Sequence, residues 1–203
     1  MVLLCDYYIH TMDDQAHHTD EAVVIAALAD KEQFGVLMDR YEAKLRRYIA
    51  RLGIRNPDDQ LDVLQDIFIK VYRNLNGFDP KLKFSSWIYR IAHNEAISSY
   101  RKKNVRPEGH LIADSEELLS FAAGNLDSAE LQFDQTVNAD VIHQALKRLD
   151  QKYAGVLILR FFEHKDYDEI SDILQIPIGS VGTLIHRGKK QLATVINNDQ
   201  IRI

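Results

Sequence analysis

Residues Phe84–Lys103, FSSWIYRIAHNEAISSYRKK, are the stretch of sequence that decides the fold. The stretch is long enough for about 30 Å of helix, and it contains no glycine or proline that would interrupt one. Its apolar residues recur at helical spacing, which predicts that one face packs into a core: Phe84, Ile88, Ile91, Ala92 and Ala96. The opposite stripe carries Arg90, Asn94, Ile97 and Arg101. Cations and an amide on one face are groups that contact phosphates and unpaired bases. The helix is therefore a candidate nucleic-acid surface, and the alternative is an ordinary amphipathic helix with a solvated basic end.

The charge of the chain is segregated along the sequence. The net charge is −5, yet residues 81–103 carry six Lys and Arg residues against one acid. Residues 104–140 carry eight acids against one cation, and residues 179–192 carry three cations and no acid. Two basic patches separated by an acidic connector are typical of a protein with two cationic contact surfaces rather than of a uniformly acidic enzyme.

The segments before this stretch also have helical periodicity. A short amphipathic helix is predicted from Asp20 through Ala22, Ile25, Ala26 and Ala29, and a longer one from Phe34 to Leu52. Asn56-Pro57-Asp58 is typical of a turn that caps the next helix.

Residues Asp59–Leu75 form the clearest helical pattern in the chain. Apolar residues at spacings of three and four predict a packing seam: Leu61, Leu64, Phe68, Val71 and Leu75. The other side carries Asp62, Gln65, Asp66, Ile69 and Arg73. An isoleucine within a polar stripe is either an ordinary exposed apolar residue or part of a surface that binds a protein partner.

The C-terminal part predicts a helix-turn-helix. Residues 104–139 lose the apolar rhythm and are interpreted as an acidic linker. Helices resume at Asp140, Asp150 is placed to cap the second, and Asp166 with Glu169 resembles a capping box for the third. A turn containing Gly179 then leads into a helix from Ser180, whose exposed face would carry Ser180, Thr183, His186, Arg187, Lys189 and Lys190. This is the arrangement of a recognition helix in the DNA major groove, and a plain helical hairpin is the alternative.

Several classes of protein are disfavoured by what the sequence lacks. Cys5 is the only cysteine, which excludes a disulfide framework and is typical of a reducing cytoplasm. No apolar run reaches the roughly 18–20 residues of a membrane helix, so no membrane insertion is predicted. No paired carboxylates in a recognisable frame, phosphate-binding glycine loop or nucleophile with a neighbouring base motif is present, so the sequence predicts no enzyme, no cofactor and no metal site.

Taken together, residues 59–103 and 145–192 resemble bacterial sigma factors of the small extracytoplasmic-function group, which contain conserved regions 2 and 4. The resemblance implies an all-α fold of two small helical domains joined by a linker, with a helix-turn-helix at the C-terminus. The expected boundaries are a poorly ordered extension at 1–19, region 2 at 20–103, the linker at 104–139 and region 4 at 140–203. It also implies a non-enzymatic subunit that binds core RNA polymerase and promoter DNA, and an anti-sigma factor as a further partner.

The resemblance assigns expected roles to the residues singled out above. The polymerase would contact Asp62, Gln65, Asp66, Ile69 and Arg73. The loop Phe78–Ser86 and the helix after it would melt the minus-ten element, with Asn94 contacting a base edge. The residues around the DNA backbone would be Lys81, Lys83, Tyr89, Arg90 and Arg101. Trp87 is interpreted as a core anchor rather than a base-stacking platform.

Region 4 departs from the usual family pattern. Family members commonly have basic residues at the positions of Gly182 and Leu184, and their loss weakens the phosphate contribution. Reading of the minus-thirty-five element by Ser180, Thr183, His186, Arg187, Lys189 and Lys190 is still expected. The alternative is a stand-alone helix-turn-helix regulator that binds duplex DNA as a dimer without polymerase.

Overall fold

The computed structural model describes residues 19–104 and 139–200, and all regular secondary structure within these ranges is helical. The first range contains α1 (Asp20–Ala29), α2 (Phe34–Arg51), α3 (Pro57–Asn74) and α4 (Phe84–Asn104), with short 3₁₀ helices at Lys31–Gln33 and Leu75–Gly77. The second contains α5 (Ala139–Leu146), α6 (Gln151–Phe161), α7 (Tyr167–Leu174) and α8 (Ile178–Gln200). The predicted all-α class is confirmed. Almost all of the predicted extension at 1–19 and of the acidic linker at 104–139 lies outside the described residues.

The starts of three helices follow from the capping residues in the sequence. Asn56 Oδ1 accepts a hydrogen bond from the Asp58 amide at 2.8 Å, directly before α3, and Pro57 occupies the first helical position. Asp150 caps α6 in the same way, through the Lys152 amide. Asp166 and Glu169 form a complete capping box at the start of α7. These three predictions are confirmed.

The chain packs as two compact units. The first contains the described residues up to Ala50 together with Ile54–Ser98, and the second contains α5–α8 with short segments at Arg51–Gly53 and from Ser99. Two small helical domains are thus confirmed, while the boundaries at 20–103 and 140–203 stay predictions. No helix among the described residues combines the length and apolar character needed to span a membrane.

The core of the first unit surrounds Phe84. Its side chain has no exposed surface, and its ring centroid lies 5.6 Å from Tyr41, 5.5 Å from Phe78 and 5.8 Å from Trp87. Ile88, Ala92 and Ala96 of the same face are also fully buried, as predicted, whereas Ile91 is only half-buried. The N-terminal half of α4 therefore packs into the core along one continuous apolar face.

One predicted helix face is wrong, and a second is confirmed only in part. Helix α1 buries Val23, Val24 and Ala27, whereas Ile25, expected inside, is 56% exposed. The segment is apolar on all sides, so its periodicity does not determine which face is buried. In α3, the predicted seam is buried at Leu64, Phe68, Val71 and Leu75, whereas Leu61 is 52% exposed. Ile67, outside the predicted seam, is fully buried.

The second unit is organised around α8, which packs against α5, α6 and α7. Its predicted inner face is confirmed, because Val181, Leu184, Ile185, Gly188 and Leu192 are all buried. The turn differs from the prediction. Gln175, not a glycine, has the left-handed conformation (φ 55°) that ends α7, and α8 begins at Ile178, so that Gly179 lies in its first turn.

Candidate docking groove and nucleic-acid interface

An open apolar groove lies between α2 and α3. Its volume is about 650 Å³. Seven apolar side chains line it, together with Glu42, Gln65 and Arg73: Phe34, Met38, Leu61, Leu64, Phe68, Ile69 and Tyr72. We call this feature the docking groove. Three of the five residues predicted to contact a protein partner line it, namely Gln65, Ile69 and Arg73, while Asp62 and Asp66 are exposed on the same helix.

The docking groove has a packed floor and an exposed apolar rim. Phe34 forms the floor through edge contacts with Phe68 and Tyr72, with ring centroids 6.4 and 5.1 Å apart. On the rim, Met38 is 39% exposed and Ile69 is 40% exposed. Leu61 was predicted to lie in the packing seam of α3, and Met38 was not singled out from the sequence. The sequence signal for the groove was that the apolar stripes of α2 and α3 are wider than the area that the rest of the unit covers.

The loop before α4 presents its cations to solvent. Asp79 organises the turn, since its Oδ1 accepts from the Lys81 amide at 3.0 Å and its carbonyl oxygen accepts from the Leu82 amide at 2.9 Å. Lys81 and Lys83 are exposed, and Leu82 between them is 51% exposed. The exposed leucine between two lysines was not predicted.

Along α4, the predicted polar residues lie toward solvent with one exception. Asn94 and Arg101 are exposed and Arg90 is half-buried. Lys81, Lys83, Arg90 and Asn94, which were predicted to face DNA, are together called the DNA-facing surface below. Arg101, predicted with them, lies in the segment of α4 that belongs to the second unit. The exception is Tyr89, which is 3% exposed and packs its ring 5.1 Å from that of Tyr48. The expectation that Tyr89 lies beside DNA is corrected, because its side chain belongs to the core.

Trp87 supports the prediction of an anchor. Its ring centroid lies 5.3 Å from that of Phe78 and 5.8 Å from that of Phe84, and the residue is half-buried. Trp87 therefore joins the loop before α4 to the first turn of that helix.

Helix α1 contributes carboxylates that sequence analysis did not single out. Arg40 Nη1 donates to Asp20 Oδ1 at 2.8 Å, and the Tyr41 hydroxyl donates to Asp20 Oδ2. Burial, and then the hydrogen bond to Asp20, raise the pKa of Tyr41 well above its ordinary value. Glu21 Oε1 accepts from the backbone amide of Phe84 at 2.8 Å. No local sequence pattern indicates this last contact, because 63 residues separate its partners.

The outer face of α8 matches the predicted recognition surface. Thr183, His186, Arg187 and Lys190 are exposed, and Ser180 is half-buried. Lys189 is also half-buried, with its Nζ 4.9 Å from the centre of the Phe161 ring.

Gly182 and Leu184, the two positions at which family members commonly have a basic residue, differ in how far they are exposed. Leu184 is only 5% exposed and belongs to the inner face of α8, so a lysine there would be buried. Gly182 is half-buried and is the position at which a long basic side chain could reach solvent.

Comparison with known proteins gives the family. The family model for Sigma-70 region 2 matches residues 37–106, and the model for Sigma-70 region 4 matches residues 139–192. The ECF RNA polymerase sigma factor SigW of Bacillus subtilis (strain 168) is 34% identical over 169 residues, which cover 80% of this chain and 88% of that relative. The chain belongs to the extracytoplasmic-function sigma factors. The ECF RNA polymerase sigma-E factor of Haemophilus influenzae is 28% identical over 183 residues, covering 88% of this sigma factor and 95% of the relative.

Solved structures of low sequence identity share the fold of this sigma factor. CnrH in complex with the cytosolic domain of CnrY has a TM-score of 0.65 at 21% identity, over 89% of this chain and 98% of that one. The sigma factor RpoE from Bartonella quintana, in complex with the anti-sigma factor NepR, has a TM-score of 0.58 at 18% identity, over 82% of this chain and 98% of that one. The predicted resemblance is confirmed.

Proposed function

We propose that this sigma factor binds core RNA polymerase through the docking groove, opens promoter DNA with the DNA-facing surface, and contacts upstream promoter DNA through α8. Sigma factors direct RNA polymerase to promoters, and the chain is one of them. One structural observation supports the assignment of roles to individual residues. The stripe of α3 selected from sequence as a partner surface forms one wall of an open apolar groove.

The chemistry of the docking groove suits a helical partner. An apolar floor with a few polar groups at the edge is how helix-in-groove recognition is built. Ile69 and Met38 are partly exposed apolar residues at this rim, and burying them would provide the hydrophobic contribution to binding. Gln65 and Arg73 can orient the partner through hydrogen bonds and an ion pair.

The binding experiment compares two isoleucines of the same unit. Ile69→Glu places a charge in the docking groove, and Ile25→Glu places the same charge at an exposed isoleucine outside it. We expect Ile69→Glu to weaken binding to core RNA polymerase about tenfold or more in a fluorescence anisotropy titration, and Ile25→Glu to leave it unchanged. Equal affinities for the two variants would refute the assignment of the groove.

The DNA-facing surface is proposed to hold the separated strand of the minus-ten element. Lysines and arginines can neutralise the phosphates, and the exposed Asn94 amide can pair with the edge of an unstacked base. Asn94→Ala should slow promoter opening, measured by permanganate reactivity of thymines, with core polymerase affinity unchanged. Normal opening by this variant would remove Asn94 from the proposal.

For α8, we propose that Thr183, His186 and Arg187 contact base edges of the minus-thirty-five element while Ser180, Lys189 and Lys190 contribute phosphate contacts. A stand-alone regulator is the less favoured function, since it gives no role to the docking groove or to α4. It predicts a palindromic footprint by the free protein. The sigma-factor proposal predicts promoter protection only together with core polymerase.

The proposal assigns the chain no enzymatic activity and places it in the cytoplasm, where it would meet polymerase and DNA. It includes an anti-sigma factor as a regulatory partner, as the Bartonella quintana RpoE structure contains one. Core polymerase and such an inhibitor should compete for the chain, which a displacement titration measures.

A further inference from the structure

The first two residues of α1 connect this helix to the rest of its unit. Asp20 is held by Arg40 and by the hydroxyl of Tyr41, so the start of α1 is fixed on α2. The next residue, Glu21, extends to a different helix and accepts a hydrogen bond from the Phe84 amide at 2.8 Å. Helix α1 thus joins α2 to the start of α4.

The Phe84 amide is one of the donors that an α-helix leaves unpaired at its N-terminus. The residue before α4 is Lys83, whose side chain carries donors and no acceptor, so it cannot cap the helix as Ser, Thr, Asn or Asp would. The lysine carbonyl accepts from the amides of Ser86 and Trp87. The Phe84 amide is paired with a carboxylate from α1, which also suits the positive end of the helix dipole.

The same point of the chain is fixed a second time through the Phe84 side chain. Its ring is fully buried and packs 5.6 Å from Tyr41, the residue whose hydroxyl donates to Asp20. Backbone and side chain of Phe84 are therefore both held by residues connected to α1. Phe84 is also where the loop with Lys81 and Lys83 ends and the helix with Asn94 begins.

We propose that Glu21 is a positioning residue for promoter opening: by holding the Phe84 amide it sets the place of the Phe78–Lys83 loop and of the first turn of α4. This inference rests on the proposed function of α4 in opening DNA. It assigns to α1 a role in DNA opening that requires no contact between α1 and DNA.

Three variants separate positioning from simple loss of stability. Glu21→Ala removes the acceptor, and Glu21→Gln keeps an acceptor oxygen without the charge. Thr19→Ala is the matched control, because Thr19 Oγ1 accepts from the Ala22 amide at 3.2 Å and caps α1 itself without reaching α4. A variant that only loosens α1 should behave like Thr19→Ala.

Two measurements on the free protein report on the Phe84 end of the loop. Trp87 is the only tryptophan of the chain and packs between Phe78 and Phe84, so its quenching by acrylamide reports local packing. In Glu21→Ala, we expect exchange of the Phe84 amide hydrogen to be about tenfold faster and Trp87 quenching to increase. Glu21→Gln should lie between this variant and the wild type, and Thr19→Ala should match the wild type in both.

The functional measurement uses the complete holoenzyme on a promoter. Glu21→Ala should slow open-complex formation about tenfold, with Glu21→Gln intermediate, and core polymerase affinity should be unchanged. The inference is overturned if Thr19→Ala slows opening equally, if exchange at Phe84 stays at the wild-type rate in Glu21→Ala, or if opening is normal while exchange is accelerated. If the wild-type chain itself forms no open complex, the proposed function fails and this inference fails with it; in the other three outcomes the proposed function stands.

Discussion

Gly188 and Gly179 lie on the same helix, α8, and replacing each with alanine should change stability in opposite directions. A Cβ atom built on Gly188 would lie 3.2 Å from both Cδ1 and Cγ of Leu157 and 3.4 Å from Cβ of Tyr153. A Cβ atom on Gly179 would meet nothing within 4 Å. Both substitutions gain helix propensity, and only Gly188→Ala brings the new Cβ atom closer to its neighbours than ordinary van der Waals contact.

The two effects have known sizes. An alanine is favoured over a glycine inside a helix by about 1 kcal/mol, and overpacking a well-packed core costs about 1–3 kcal/mol. Gly188→Ala should therefore destabilise the second unit by about 1 kcal/mol. Gly179→Ala, near the start of α8, should stabilise it by about 0.5 kcal/mol or slightly more.

Urea unfolding followed by circular dichroism, together with amide hydrogen exchange in α6 and α8, measures this difference in the full chain. The hydrogen-exchange data assign the change to the second unit, since α1–α4 should be unaffected. An unfolding free energy for Gly188→Ala equal to or above that for Gly179→Ala would show that the packing of α6 on α8 is looser than the structure indicates.

Three further substitutions test other features. The pKa of Tyr41 is raised in the folded protein, so the unfolded chain loses the hydroxyl proton first. The free energy of unfolding should therefore fall as the pH rises above about 10. Tyr41→Phe should reduce this alkaline loss, measured by urea midpoints from pH 8 to 11. The Ser86 hydroxyl is buried without a hydrogen-bond partner in the described ranges, so Ser86→Ala should leave the urea midpoint unchanged or raise stability by up to about 1 kcal/mol, and a loss would indicate an unrecognised partner. Gly182→Lys should strengthen binding of the holoenzyme to promoter DNA and steepen its salt dependence by about one phosphate contact, and an unchanged salt slope would show that this position does not reach DNA.

Where one face of a helix is distinctly more apolar than the others, the buried side could be predicted from the sequence. The inner face of α8 is an example, since polar residues surround Val181, Leu184 and Ile185 and fix the phase. Helix α1 is the opposite case, because Val23, Val24 and Ile25 are consecutive and periodicity alone does not select among them.

The site was predictable to a similar extent. Ile69, which lines the groove, was selected from the sequence because an apolar residue within a polar stripe is visible locally. The docking groove itself was not, since it depends on how α2 and α3 leave Met38 and Leu61 uncovered. The hydrogen bond from the Phe84 amide to Glu21 is set by tertiary structure alone.

Under the proposed function one small unit contacts polymerase and DNA at once, and the position of Tyr89 in the core connects the two proposed surfaces. Tyr48 of α2, which forms one wall of the docking groove, packs its ring against Tyr89 and hydrogen-bonds through its hydroxyl to His93 Nδ1 at 2.8 Å. Helix α3, the other wall, is joined to α4 through the ion pair of Lys70 with Glu95, but Lys70 is about half exposed and such pairs contribute only about 0–1 kcal/mol. The buried Tyr48 contacts therefore connect the groove to α4 more firmly than this ion pair does. Because close-packed interiors transmit strain rather than absorb it, a partner seated in the groove would hold the DNA-facing surface in a fixed orientation, which is the geometric condition for opening DNA at a defined position.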